Sequence, residues 1–216
     1  MKVLLINKSG KISAKYREML LRSGVTLTAD ISGTVNIDDY GMVYENHDEL
    51  YDEIVELLSA RAQNRPALIG ETKRLFIREI GPEQAEAYRL LIEECRDELE
   101  DVTLAGLSPE EFLNRHKAYI KYSYELNCFG IWGLFSKNEK NKMIGFAGVS
   151  ANNHTLCYAI TSDYRRKGYA YEACSFILQY MSEEYSINDI SVHIKADNLP
   201  SINLAKKLHI SELTII

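Results

Sequence analysis

The sequence predicts an α/β protein: a mixed central sheet flanked by helices, preceded by a small α/β domain. Three observations carry this. Short apolar runs of strand length alternate with amphipathic stretches at helical spacing. Residues 1–65 hold their own strand–helix–strand–helix pattern, and Asn64-Arg65-Pro66 reads as the linker to residues 66–216. The 216 residues, 46% hydrophobic and 26% charged, contain enough apolar material for a real core.

In the first unit, Lys2–Asn7 is a strand and Lys8-Ser9-Gly10 a turn, followed by a helix through Ala14, Met19 and Leu20. Asn7–Ser13 lacks the leading Gly of a phosphate-binding GxxxxGK[ST] loop, so it reads as a plain strand-to-helix turn. Tyr40–Tyr44 is a second strand-like run. Asn46 and Glu49 have capping-box spacing, predicting a helix that starts at Asn46 and runs through Leu50, Ile54, Leu57 and Leu58. Asp48, Glu49, Asp52, Glu53 and Glu56 form its solvated face.

In the second unit, Lys73–Arg78 is a strand, and Gly81-Pro82-Glu83 opens a helix with Pro in the first turn. Ser108 and Glu111 form a capping box for the next helix. Cys128–Ser136 and Lys142–Ser150 form a hairpin across Lys137–Asn141. Then come a strand Thr155–Ile160, a helix from about Gly168 to Tyr185, a strand Asp189–Ile194 and a helix from Pro200 to Leu208.

The net charge of −6 argues against nucleic acid as a partner. No apolar run approaches the ~18 residues of a membrane span, and Met1–Asn7 is too short for a signal-peptide core. A cytoplasmic protein without membrane contact is expected. Cys95, Cys128, Cys157 and Cys174 are far apart and the five histidines form no paired motif, so neither a disulfide framework nor a metal site is expected.

The most informative stretch is Tyr164-Arg165-Arg166-Lys167-Gly168-Tyr169-Ala170. Three cations stand at a helix start, where acidic residues are favoured. Rules broken locally tend to mark functional sites. A bound anion resolves the conflict, because N–H groups at such a turn cradle phosphate oxygens, and Gly168 and Ala170 permit close approach. A solvated basic turn is the competing reading, and the anion argument alone does not choose.

This turn resembles the acetyl-CoA pyrophosphate loop of GNAT-family N-acetyltransferases, [Q/R]xxGx[G/A], with Arg165, Gly168 and Ala170 at its defined positions. The longer run to Ala173 resembles the ribosomal-protein and spermidine acetyltransferase branch. Downstream, Val192–Ser201 is similar to the family's second cofactor segment, a strand followed by NxxS, with Asn198 and Ser201 matching. Taken by itself, that segment is also simple helix capping. The likeness spans residues 73–210 and leaves out residues 1–65, whose role is open.

The resemblance implies a GNAT-like acyl-CoA N-acyltransferase fold and an acetyl-CoA-dependent enzyme acting on a primary amine of a small molecule or peptide. It implies a cofactor cleft between Thr155–Ile160 and Asp189–Ile194. Backbone N–H groups of Arg166, Lys167, Gly168, Tyr169 and Ala170 are expected to hold the pyrophosphate, with charge from Arg165 or Lys167. Backbone near Tyr158 and Ile160 is expected to pair with the pantetheine arm and polarise the thioester carbonyl, and Asn198 and Ser201 to complete the site. The amine attacks directly, so no enzyme nucleophile is required. Glu94, Glu125, His154 and His193 are base candidates by type alone, and none is assigned. Tyr119, Tyr122, Tyr124, Phe129 and Trp132 crowd the acceptor side, as pocket lining or, for most, as core.

Two departures from the family pattern matter. Many members have a Tyr four residues after the Ser to protonate the departing thiolate; here it is Ala205. The family's LGF is Leu208-His209-Ile210, and Ser211–Ile216 leave room for one strand where the family has a hairpin. The sheet edge left bare is expected to be covered by the N-terminal unit or by a second subunit in a homodimer. These departures support an alternative, a catalytically silent acyl-CoA-binding regulatory module.

Overall fold

The structure, a computed structural model, describes residues 1–29, 35–47, 50–99 and 101–216, without the side chain of Glu53. The chain divides into two compact units, Met1–Ile69 and Gly70–Ile216.

In the first unit, β1 (Val3–Asn7) lies between β2 (Thr26–Thr28) and β3 (Met42–Asn46), parallel to both. Its unbroken apolar run Val3-Leu4-Leu5-Ile6 is buried throughout, as expected of a central parallel strand covered on both faces. Helix α1 (Ala14–Arg22) starts at Ser13, whose hydroxyl accepts the Tyr16 N–H at 3.2 Å. Helix α2 (Asp52–Ala62) buries Ile54, Val55, Leu57 and Leu58.

The helix expected from Asn46 instead begins at Asp52, without a side-chain cap. Asn46 ends β3, and its amide donates to Asn7 Oδ1 at 3.1 Å and Ser9 Oγ at 3.3 Å. Its carbonyl accepts the N–H groups of Lys8 and Ser9. Asn46 therefore pins the loop after β1 rather than capping a helix. The other half of the expected capping box, Glu49, and neighbouring Asp48 lie outside the described residues.

The second unit is built on a five-stranded sheet: β4 (Leu68–Glu71), which the unit boundary crosses, then β5 (Leu75–Arg78), β6 (Ile131–Ser136), β7 (Met143–Val149) and β8 (Leu156–Ile160). From β5 to β8 the pairing is antiparallel. A two-stranded parallel sheet pairs β9 (Ser191–Ile194) with β10 (Glu212–Ile215). The tail thus forms one strand, and among the described residues no strand pairs its outer edge.

One core layer joins the sheet to α3 (Ala85–Glu94) and α4 (Pro109–Tyr119) through Tyr88, Phe112, Phe146 and Ala159. Tyr88 packs edge-on to Phe112 and Phe146 at 5.6 and 5.4 Å between centroids, the arrangement ring quadrupoles prefer. His116 is buried beside them with Nε2 2.8 Å from the Ile80 carbonyl oxygen. The capping box of α4 forms in both directions between Ser108 and Glu111. Helix α5 (Tyr169–Tyr185) buries Ala173, Ile177 and Met181 at helical spacing. Burial of the two larger side chains contributes about 1.5–3 kcal/mol each. It also orients the start of α5 at the end of β8. Helix α6 (Leu199–Lys207) buries Ile202 and Ala205 against Val192 and Ile194 of β9. No helix among the described residues is long and apolar enough to cross a membrane.

Candidate functional site

Strands β8 and β9 meet at a single parallel bridge, Thr155 with Ser191. There Ser191 N–H donates to the His154 carbonyl at 3.1 Å, and the two hydroxyls of the bridge are 3.1 Å apart. Beyond it the strands form no ladder. Thr155 C=O accepts from Ser150 and Thr161 N–H donates to Ile144, so odd-numbered residues of this stretch face β7. Alternation then turns the N–H and C=O of Tyr158 and Ile160 away from β7, into the opening. The Ile160 carbonyl accepts from Arg165 Nε at 2.8 Å. No strand pairs with the rest, an arrangement that calls for a polar guest.

The basic turn lies at the wide end of this opening. Arg166 and Gly168 have φ of +60° and +80°, and Gly168 caps α5. The N–H groups of Arg166, Lys167, Gly168, Tyr169 and Ala170 donate to no acceptor among the described residues; α5 bonding begins with Glu172 N–H to Gly168 C=O at 3.1 Å. Five successive donors at the start of a 17-residue helix are the arrangement that suits an anion. A Cβ on Gly168 would lie 3.5 Å from Arg74 Nη2, an ordinary contact, so glycine is needed here for its backbone conformation.

Side chains far away in sequence hold the turn. Arg74 donates from Nη1 to the Lys167 carbonyl at 2.8 Å and stacks over the Tyr169 ring at 4.1 Å. Its Nε pairs with Glu172 Oε2 at 2.6 Å. Glu172 also accepts from Thr72 Oγ1 and the Arg74 N–H. Burial opposes ionisation of Glu172, yet hydrogen bonds from Thr72 and Arg74 keep its carboxyl below the ordinary range. An acid therefore does occupy the first turn of α5, complementing the helix dipole. Sequence reasoning missed this framework; Glu172, a first-turn acid, was the signal that could have found it.

The three cations have separate positions. Arg165 is spent inside the protein, with Nη1 2.7 Å from Glu98 Oε1 and Nη2 3.5 Å from Cys95 Sγ, besides its bond to Ile160. It staples the end of β8 to the segment after α3. Arg166 and Lys167 are exposed and pair with no carboxylate among the described residues.

Across the opening, Asn198 caps α6, its Oδ1 accepting the Ser201 N–H at 3.2 Å. Its Nδ2 donates to no described acceptor, so capping leaves a donor available. Tyr158 packs, partly buried, on the cluster formed by Val192, Ile194, Ile202 and Ala205, with its hydroxyl 3.4 Å from the Ser201 carbonyl oxygen. Burial pushes this phenol up to about 12.

Of the base candidates, Glu94 accepts the Ser162 N–H at 2.6 Å, a bond that lowers its pKa and makes it a poor base. Glu125 lies in a π-helical turn (Ile120–Leu126), His193 on β9, and His154 Nδ1 3.5 Å from Asp189 Oδ1. Trp132, Tyr124 and Phe129 are buried core, whereas Tyr122 is exposed. Burial pushes the Cys174 thiol well up, and Cys157 Sγ contacts the Thr155 carbonyl.

The family model described as an acetyltransferase (GNAT) domain matches residues 74–211. Among solved structures, an acetyltransferase from Agrobacterium tumefaciens is 17% identical with a TM-score of 0.54, covering 64% of this chain and 81% of its own. The ribosomal-protein-S5-alanine acetyltransferase from Vibrio fischeri is 18% identical at TM-score 0.54, covering 64% and 80%. RimL, a ribosomal L7/L12 α-N-protein acetyltransferase solved with coenzyme A, is 15% identical at TM-score 0.54, covering 66% and 82%. With the family match spanning well over half of the chain, this protein belongs to the GNAT family of acetyltransferases.

Proposed function

We propose that this protein transfers the acetyl group of acetyl-CoA directly to a primary amine. The observation that carries the reading is the five free N–H groups of residues 166–170 at the wide end of a strand opening where no strand pairs with the backbone of Tyr158 or the N–H of Ile160. A pyrophosphate fits the first feature, and the amide-bearing pantetheine arm fits the second. Arg166 and Lys167 add charge, Arg165 braces the turn, and the Asn198 amide donates to the arm. Ser201, whose N–H and carbonyl serve Asn198 and Tyr158, shapes the wall opposite β8. An N–H of β8 aimed at the thioester carbonyl stabilises the oxyanion that forms on attack. RimL, of the same fold, was solved with coenzyme A.

The acceptor is a primary amine of a small molecule or a peptide. The test is release of CoA thiol from acetyl-CoA in the presence of a polyamine, an aminoglycoside and peptides with free N-termini. Amine-dependent release supports the reading. CoA binding without release from any of these favours a silent acyl-CoA-binding module.

A further inference from the structure

Two parallel strands that meet at one bridge have unpaired groups with which to continue the ladder, and we infer that the Arg165 guanidinium is the wedge that keeps β8 and β9 from closing. The inference rests on the acetyl-CoA reading above for its purpose: an opening that stands ready before the cofactor arrives.

The register shows what closing requires. At the bridge, Ser191 N–H donates to the His154 carbonyl. In a parallel ladder the pattern repeats every two residues. Lys195 N–H would then meet the Tyr158 carbonyl, and Asp197 N–H the Ile160 carbonyl. Both N–H groups donate to no acceptor among the described residues. The β9 side therefore has donors to offer.

The Ile160 carbonyl is already taken. It accepts Arg165 Nε at 2.8 Å in the place of the Asp197 N–H. The Cys95 thiol approaches the same oxygen at 3.7 Å. The outer end of the guanidinium is held as well, with Nη1 2.7 Å from Glu98 Oε1 and Nη2 3.5 Å from Cys95 Sγ. Cys95 is buried in the core that joins α3, α4 and the sheet, and Glu98 N–H closes the turn after α3 on the Cys95 carbonyl at 3.0 Å. The wedge thus rests on a turn fixed in the core. On the other side, the Lys195 carbonyl, the ladder partner of Ile160 N–H, accepts Asn198 N–H at 2.9 Å. Lys195 Nζ reaches the Asp97 carbonyl of the same turn at 2.9 Å. One bond through a flexible side chain permits the strands to close; a planar guanidinium anchored at both ends does not. Arg165 is therefore a positioning residue: it shapes the opening and leaves the Tyr158 backbone for a guest.

The test is hydrogen exchange, read amide by amide by NMR, in the full-length protein without ligand. Arg165→Met keeps the length of the side chain and removes its donors; Arg165→Lys keeps a donor and the charge. Lys195 and Asp197 amides should exchange equally fast in the unsubstituted protein and in Arg165→Lys. In Arg165→Met both should slow about tenfold, the factor expected for one amide hydrogen bond. Loss of a merely structural contact would speed exchange instead. Glu98→Ala, which frees the outer end of the guanidinium, should slow the same amides to a lesser degree and serves if Arg165→Met does not fold. Unchanged or faster exchange at these amides overturns the inference. Stopped-flow binding of coenzyme A tests the purpose: association with Arg165→Met should be about tenfold slower, because only the reopened fraction binds. Equal association rates overturn the role in readiness. If the unsubstituted protein does not bind coenzyme A, the acetyl-CoA reading falls, and the exchange result still decides the wedge.

Discussion

Arg74 and Glu172, 98 residues apart, form one clamp: the guanidinium pairs with the carboxylate at 2.6 Å and reaches the Lys167 carbonyl at 2.8 Å. Both are largely shielded from water, so the pair is worth more than a surface ion pair. Removing one partner leaves the other charge uncompensated. Glu172→Gln should destabilise the protein by about 1–3 kcal/mol, measured by chemical denaturation. It should also weaken acetyl-CoA binding, because the turn loses its brace.

The same clamp sets a pH dependence. The folded carboxyl of Glu172 titrates below its unfolded value, so the unfolded chain binds more protons in that window. This contribution is fully present above the unfolded Glu value of about 4.3 and is lost as pH falls through the lower folded value. Glu172→Gln should therefore flatten the acid limb of a stability-versus-pH curve, and an unchanged limb would count against the clamp.

How much of this was visible beforehand depends on range. Periodicity identified α5, and turn chemistry identified Gly168, because both are local. Ser108–Glu111 capping was equally local. The helix expected from Asn46 failed because the Asn46 amide is satisfied across the sheet by Asn7 and Ser9, a tertiary bond that spacing does not reveal. Strand β2, three residues long, has too short a run to register. At the proposed site, Gly168, Ala170 and Asn198 are named by the resemblance to the family's motifs, each of which lies within one short stretch. The Arg74–Glu172 clamp and the three-way tether of Arg165 join distant segments and are not written in any one stretch.

Arg165 and Lys167 should separate cleanly. Arg165→Ala removes bonds to Ile160, Glu98 and Cys95, and should cost about 1–3 kcal/mol of stability. Lys167→Ala, at an exposed side chain, should leave the melting temperature unchanged. It should weaken acetyl-CoA binding roughly 3–10-fold at low salt and less at high salt. Equal thermal losses for the two variants would contradict this division.

Gly148 reports on the tight part of the sheet. A Cβ there would lie 2.0 Å from the Gly130 carbonyl oxygen and 2.6 Å from Ile131 Cα, both backbone. Gly148→Ala should cost at least about 3 kcal/mol or prevent folding, since neither strand can yield. Soluble expression and circular dichroism check this directly; a variant of unchanged stability would mean that β6 and β7 are farther apart here.

Calorimetric titration with acetyl-CoA of the unsubstituted protein beside Gly168→Glu tests the proposed cofactor site most directly. Glu at this position places a carboxylate among the five N–H donors and forces a side chain into a left-handed conformation. Saturable binding to the unsubstituted protein, lost in a Gly168→Glu variant that still folds, is the predicted result. No binding by the unsubstituted protein would contradict the assignment of the 166–170 turn as a pyrophosphate cradle.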